Sequence, residues 1–416
     1  MIFHIPPHES RTNASFRSSV TFGLMIAGIA GCGAAGLDLP SSDATPGVAS
    51  SSKSAGSERD ADLTSADLSQ PRRSDADLAA TVDRAREVVA LFQQLRIPPQ
   101  APAWIRMHTL LMFPLVPASG PTESASQRRA LIEGLLLASN REQVPFSLRD
   151  REPIPRTGGA LFEREHHPDQ ILSYLALIGV PLEQPMRVED NAFSVGDMLR
   201  VSQREVRQKQ ELSWTVSAYA HYGKPGQVWE NKYGERLSLA ILAKALSEKA
   251  ETACGGAHRL TAIARVVSLP ANGQDVELSR LQTSLRRLLD DETQRLRSGQ
   301  FPDGVFGAPD SLLNQPDVPV EAIDIQFTGH SLEWLTLAHG SDVLKSEWVV
   351  RAVDALVDRL QQAYDVCQDG LLQREIRAKT DVALQFRVGS AAHAVGALAR
   401  WLHRLQAVPP EIVVRP

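Results

Sequence analysis

The chain has 416 residues, 43% of them apolar, and a net charge of −5 at pH 7. That is enough for one large domain or two modest ones. Basic and acidic residues are mixed throughout, so no basic patch argues for nucleic acid, and no apolar run approaches the roughly 20 residues that span a bilayer.

The first 19 residues carry Arg11, Arg17 and one acid, Glu9, and VTFGLMIAGIAGC follows over 20–32. A positive region, a short apolar region and small residues at the exit have the form of a signal peptide. The end of that run, Ile29-Ala30-Gly31-Cys32, resembles the bacterial lipobox. The resemblance implies that residues 1–31 are removed and that Cys32 is lipidated as the first residue of the mature protein. An ordinary signal peptide with a chance cysteine, or a short buried helix, is the alternative. Gly33 follows the cysteine rather than Asp, which by resemblance to Gram-negative lipoproteins favours the outer membrane over the inner one. The expected place is the cell envelope, with membrane lipid held through Cys32. In that oxidising compartment Cys254 and Cys367 either pair or stay as buried thiols, and the sequence leaves this open.

Residues 33–74 are rich in Ser, Ala, Asp, Gly and Pro. Such a segment buries too little apolar surface to offset its ordering entropy, and reads as a disordered tether. From about 75 the pattern turns helical. Ser74-Asp75-Ala76-Asp77 offers a cap, and Leu78, Val82, Val88, Val89, Leu91, Phe92 and Leu95 recur at helical spacing until Pro98-Pro99. Residues 126–139 form a second amphipathic run, and the proline-broken stretch between the two stays unassigned. Further helices are expected over about 168–179, 194–206, 208–221, 236–250, 256–268, 275–298, 330–338, 343–364 and 391–406. No stretch shows sustained strand alternation, and 140–165 and 300–328 read as irregular links. The expected fold class is all-α, with one domain over 75–407 and a tail over 408–416.

Three of these helices read as opening with small residues and then histidine: CGGAHRLTAIARVV from 254, FTGHSLEWLTLA from 327 and VGSAAHAVGALARWL from 388. Apolar helices alternate with charged ones such as 275–298 and 343–364. A helix apolar all round is a buried one and a charged amphipathic one is an outer one, so the alternation describes an α/α toroid of inner and outer helices. QFPDGVF at 300–306 resembles the Q-x-x-x-G-x-W/F motif of the terpenoid cyclase and protein prenyltransferase toroids, through Gln300, Gly304 and Phe306. The resemblance covers residues 160–407. It implies a glutamine capping a helix end with the aromatic packed beside it. It implies nothing specific about chemistry, since one fold hosts many reactions.

Chemistry is read from the histidines. Cys254 and His258 are four apart and suit two zinc ligands if a helix runs through both. His330, Glu333, Asp303 or His393 would have to complete that set. A buried cysteine with a histidine bonded to a loop, or a metal-free polar pocket, is the alternative. His330 and Glu333 lie one turn apart, the spacing of an imidazole and carboxylate acid–base pair. Gly329-His330-x-x-Glu333-Trp334 resembles the GH-x-x-EW motif of the N-acylglucosamine 2-epimerase family, also toroids. That resemblance implies a proton-transfer role for His330, with His258 as its counterpart, and a sugar site lined by Trp334. Thr328 and Thr261 depart from the family pattern, and His393 or His403 stands for its further histidine. Glu211 and Trp214 are candidates to line the cavity, and so is Asp303. His166-His167-Pro168-Asp169 reads as a helix start, and Asp290-Asp291-Glu292 as a solvated face.

The residues thus read as an exported, lipid-anchored envelope protein whose toroid binds a ligand or partner, a carbohydrate or an envelope protein. No cofactor is required by the motifs, with zinc at Cys254 and His258 as the alternative. The alternative function is a carbohydrate-active epimerase, isomerase or lyase using His258, His330, Glu333 and His393. The sequence leaves open whether there is turnover.

Overall fold

The structure, a computed structural model, describes residues 74–98, 101, 103–113, 122–137, 146–149, 152–155, 167–249, 254–270, 275–308, 318–372 and 382–405. All of them lie in the unit Ser51–Pro416. The signal and lipobox reading with Cys32, the tail over 408–416 and the tether over 33–74 lie outside the described residues, except Ser74, which caps α1. Among the described residues no helix is long and apolar enough to cross a membrane.

The described chain is mostly helical. It runs α1 (Asp75–Phe92), α2 (Ala103–Thr109) with a 3-10 turn (Leu110–Met112), α3 (Thr122–Leu136), α4 (Gln170–Leu177), α5 (Val195–Glu205), α6 (Ser213–Tyr222) and α7 (Leu239–Ser247). Then come α8 (Ala257–Ser268), α9 (Val276–Ser298), α10 (Val320–Ala338), α11 (Ser341–Leu344), α12 (Glu347–Leu372) and α13 (Val382–Leu405). Three two-stranded antiparallel hairpins interrupt it: β1 (Phe146–Arg149) with β2 (Glu152–Pro155), β3 (Pro185–Val188) with β4 (Asn191–Ser194), and β5 (Val228–Glu230) with β6 (Arg236–Ser238). The hairpins were not visible as strand alternation because each strand has only three or four residues. The first of them falls in the stretch expected to be irregular.

Local chemistry sets the helix starts. Ser74 Oγ accepts from the Asp77 amide at 3.2 Å at the head of α1. Ser194 and Asp197 form a reciprocal capping box on α5, and Ser238 Oγ accepts from the Ile241 amide at 3.2 Å on α7. Each cap satisfies an amide that no helical carbonyl can reach, worth about 1 kcal/mol. α9 buries Leu278, Leu285, Leu289 and Thr293 along one face and turns its charges to water. α4 is buried at every position and α10 at every position from Thr328 to Thr336.

The packing order follows from this burial. α4 packs on α6, α6 on α8, α8 on α10 and α10 on α13; α13 packs on α2, and α2 on α4. The amphipathic helices lie against this series, α7 and α9 on α8, and α12 on α10 and α13. A 44-residue step relates part of it: Ser173 Oγ donates to Ser217 Oγ at 2.9 Å, 44 residues on. The same step takes Gln170 to Trp214 to His258, and the cap Ser194 to the cap Ser238.

Two helices are longer than expected. His258 opens α8, but His330 and His393 sit within α10 and α13, which begin at Val320 and Val382. The small residues before them serve close packing instead of a helix start. A Cβ added to Gly329 would lie 2.8 Å from Ala394 Cα, so glycine lets α10 and α13 touch backbone to backbone. In the QFPDGVF loop, Gln300 Nε2 donates to the Gly304 and Trp348 carbonyls at 2.8 Å, and Arg351 donates to Gln300 Oε1 at 2.8 Å. The loop is thereby tied to the first turn of α12. Gly304 is needed there, with φ +98° and room for no Cβ, which would meet the Arg351 carbonyl at 2.6 Å.

Candidate functional site

Four helices bring four imidazoles together: His108 from α2, His258 from α8, His330 from α10 and His393 from α13. Ring centroids are 4.4 Å apart for His258 and His330, 4.0 Å for His330 and His393, and 5.5 Å for His108 and His393. All four are buried. Trp214 of α6 lies 4.1 Å from the His258 ring, and Tyr174 of α4 lies 5.1 Å from Trp214.

Glu333 organises one side of the cluster. His330 Nδ1 and His393 Nδ1 each donate to its Oε2 at 3.1 Å, and Arg400 donates to its Oε1 at 2.7 Å. Burial alone would raise the Glu333 carboxyl, but the His393 and His330 imidazoles and the Arg400 guanidinium hold it well below the usual carboxylate range. Burial, with His330 alongside, pushes His393 down to about 4. Burial, with His330 and His393 alongside, pushes His258 well below its ordinary value. The centre therefore holds an ionised Glu333 facing neutral His258 and His393.

The donors can be counted outward from Glu333. Neutral His393 donates through Nδ1, so its Nε2 accepts from the Tyr174 hydroxyl at 3.1 Å. The Tyr174 oxygen then accepts from His108 Nε2 at 3.0 Å, while His108 Nδ1 meets the Trp104 carbonyl at 2.8 Å. His108 thus bridges the Trp104 carbonyl and the Tyr174 hydroxyl, and Gln170 Nε2 also donates to that hydroxyl at 3.3 Å. The Trp104 ring lies 3.6 Å from the His108 ring, and His108 is in the last turn of α2.

The other side of the cluster has donors and ligands in reserve. His258 makes no ring-nitrogen hydrogen bond among the described residues, and Trp214 Nε1 is buried without a partner. The ligand atoms of Cys254, His258 and His330 all lie within 4.8 Å of one another, and so do those of His330, Glu333 and His393. Either group could hold a metal ion. An ion with bonds of about 2.0–2.3 Å in tetrahedral geometry sets its ligands roughly 3.5 Å apart, a modest contraction from here. Cys254 reaches this position from a left-handed backbone, φ +54°, with Gly256 following at +87°. No α-helix runs through both Cys254 and His258: Cys254–Gly256 is a 3-10 turn leading into α8, which starts close to the expected 256. Cys254 and Cys367 do not pair with each other. Cys367 is buried, and burial pushes its thiol up to about 12.

Of the expected site residues, His258, His330, Glu333, His393 and Trp214 come together. Glu211 stands at the edge, 3.9 Å from His167, with Oε1 taking the Ser213 amide at 2.8 Å. Asp169 is buried and accepts from Thr215 at 2.5 Å. Trp334 does not join the centre: it is buried in the core with its ring 6.3 Å from His339. Asp303 is half exposed and pairs with Arg359 at 2.6 Å. Glu292 of the acidic run pairs with Arg259 and Arg295. Sequence reasoning missed His108, Tyr174 and Arg400. The one signal for His108 was a Trp-x-x-x-His spacing inside a stretch broken by prolines.

No family model matches the chain, and no curated protein or solved structure is significantly similar to it.

Proposed function

We propose that the chain is an exported, lipid-anchored envelope protein whose helical domain is an α/α toroid with a ligand site at the histidine centre. The packing order, which passes through α4, α6, α8, α10 and α13 and returns through α2, supports the toroid. The site is completed by a divalent transition ion on Cys254, His258 and His330. One observation carries this reading: His258 is buried and neutral, its ring nitrogens make no hydrogen bond among the described residues, and it faces a thiol and a second imidazole. Neutral imidazole is the ligating form. Glu333, bonded to His330 Nδ1, is the outer partner that orients a ligating histidine. Three protein ligands leave one position for a substrate or water, as catalytic zinc sites do.

A second reading rests on Glu333 accepting from two imidazoles at once. Without an ion, His330 and His393 would share one carboxylate as an acid–base site, with Trp214 offering its face to a sugar. Elemental analysis of the full chain, purified in detergent, separates the two. Near-stoichiometric zinc that is lost in Cys254→Ser and His258→Ala supports the ion. Its absence from folded protein after metal-replete expression overturns that reading and leaves the acid–base site.

A further inference from the structure

The histidine centre has a second layer below it. Seven residues after Trp214, His258, His330 and His393 come His221, Arg265, Leu337 and Arg400. Seven residues are about two turns, so each pair shares a helix face roughly 10 Å apart. With Leu177, these four second-layer residues line a cavity of about 330 Å³ at the C-terminal ends of α4, α6, α8 and α10, with Ser268 and Pro270 exposed on its rim.

The charges in this cavity do not balance. Arg265 pairs with no carboxylate among the described residues. Its one hydrogen bond runs to the Ser217 carbonyl at 3.4 Å, and its Nε is buried without a partner. Arg400 reaches Glu333 Oε1, but its Nε too is buried without a partner. Two guanidiniums thus face one carboxylate, whose other oxygen is already taken by His330 and His393. Burial and the nearby Arg400 lower Arg265 to about 10, which is the effect of a cation without its counter-ion. Helix C-termini ordinarily repel anions. Here Arg128 donates to the Ile178 carbonyl, Arg286 to Ala338 and Arg404 to His339, so other arginines offset those ends.

We propose that this cavity binds the oxyanion group of a small organic molecule, a carboxylate or a phosphate monoester. Arg265 supplies the planar fork, Arg400 the second charge and His221 a polar edge from the facing helix. Leu177, Leu269 and Leu337 receive the apolar body. The volume lies near the lower end of small-molecule sites, about 300 Å³. The site does not depend on what the histidine centre holds.

The test is calorimetric titration of the full chain, treated with chelator so that the outcome is independent of any metal. The probes are phenyl phosphate and benzoate, which separate the two oxyanions. Saturable binding of one probe is expected, weakened about tenfold or more in Arg265→Gln and less in Arg265→Lys. Leu337→Trp, which crowds the cavity and keeps both arginines, should weaken it as well, and it decides the matter if Arg265→Gln does not fold. No binding of either probe at millimolar concentration to folded wild type would overturn the proposal. So would wild-type affinity in the folded variants.

Discussion

His330 Nδ1 donates to Glu333 Oε2 across 3.1 Å, one turn along α10, with both side chains buried. The bond commits the Nδ1 proton of His330 and leaves Nε2 for other chemistry. Glu333→Gln keeps the shape and removes the charge. The metal affinity of the chain, read by competition with a chelator, should fall about 10- to 100-fold. The same variant leaves Arg400 facing the centre without its counter-charge, and denaturation should show a loss of about 3 kcal/mol. Unchanged metal affinity in a folded variant would remove Glu333 from any outer-partner role.

The contact between Gly329 and Ala394 offers a test of the packing. A side chain at 329 would enter the Ala394 backbone, so α10 and α13 would have to separate. Gly329→Val should cost at least about 1–3 kcal/mol in urea unfolding. It should also disturb the histidine centre, since His330 and His393 lie on the two helices it forces apart. Wild-type stability would mean that these helices are not in backbone contact.

Much of the centre was legible, though partly for the wrong reason. Small residues before histidine drew attention to His258, His330 and His393. At His258 they open a helix, but Gly329 serves a helix crossing whose partner, Ala394, lies far along the chain. Arg400 could not be seen to matter, because its partner Glu333 is 67 residues away. His108 stayed hidden among prolines in a helix of only seven residues. The 44-residue step escaped notice because Gln170, Trp214 and His258 occupy equivalent places with unlike side chains. Trp334 looked like a site residue from its neighbours in sequence. One position along a helix is a turn of about 100°, enough to direct it into the core while Glu333 faces the centre.

His339 gives the pH dependence a sign. It is buried, bonded through Nε2 to Thr293 at 2.7 Å, and burial, with Arg286 nearby, lowers it to about 4. Between about pH 6.5 and pH 4 the unfolded chain takes up a proton that the folded chain refuses. Stability should therefore fall as pH drops through that window, by an amount of order 3 kcal/mol from this residue, and be flat above it. His339→Gln should reduce the slope by this residue's share, leaving the part that His258 and His393 contribute with the same sign. An unchanged slope in unfolding experiments across that range would remove His339 as its source.

Cys32 carries the anchoring part of the proposal. Cys32→Ala should shift the protein from the membrane fraction to the soluble one and abolish incorporation of labelled fatty acid. Unchanged membrane retention with no label in the wild type would contradict lipidation at this residue.

An ion held by Cys254, His258 and His330 is what the proposed site requires. Cobalt(II) titration of the metal-free full chain reads this site out, because a four-coordinate site shows visible d–d bands and a thiolate ligand adds a charge-transfer band in the near-ultraviolet. Saturation is expected at one cobalt per chain, with that band present in the wild type and absent in Cys254→Ser. No charge-transfer band, or the same band in the variant, would contradict it.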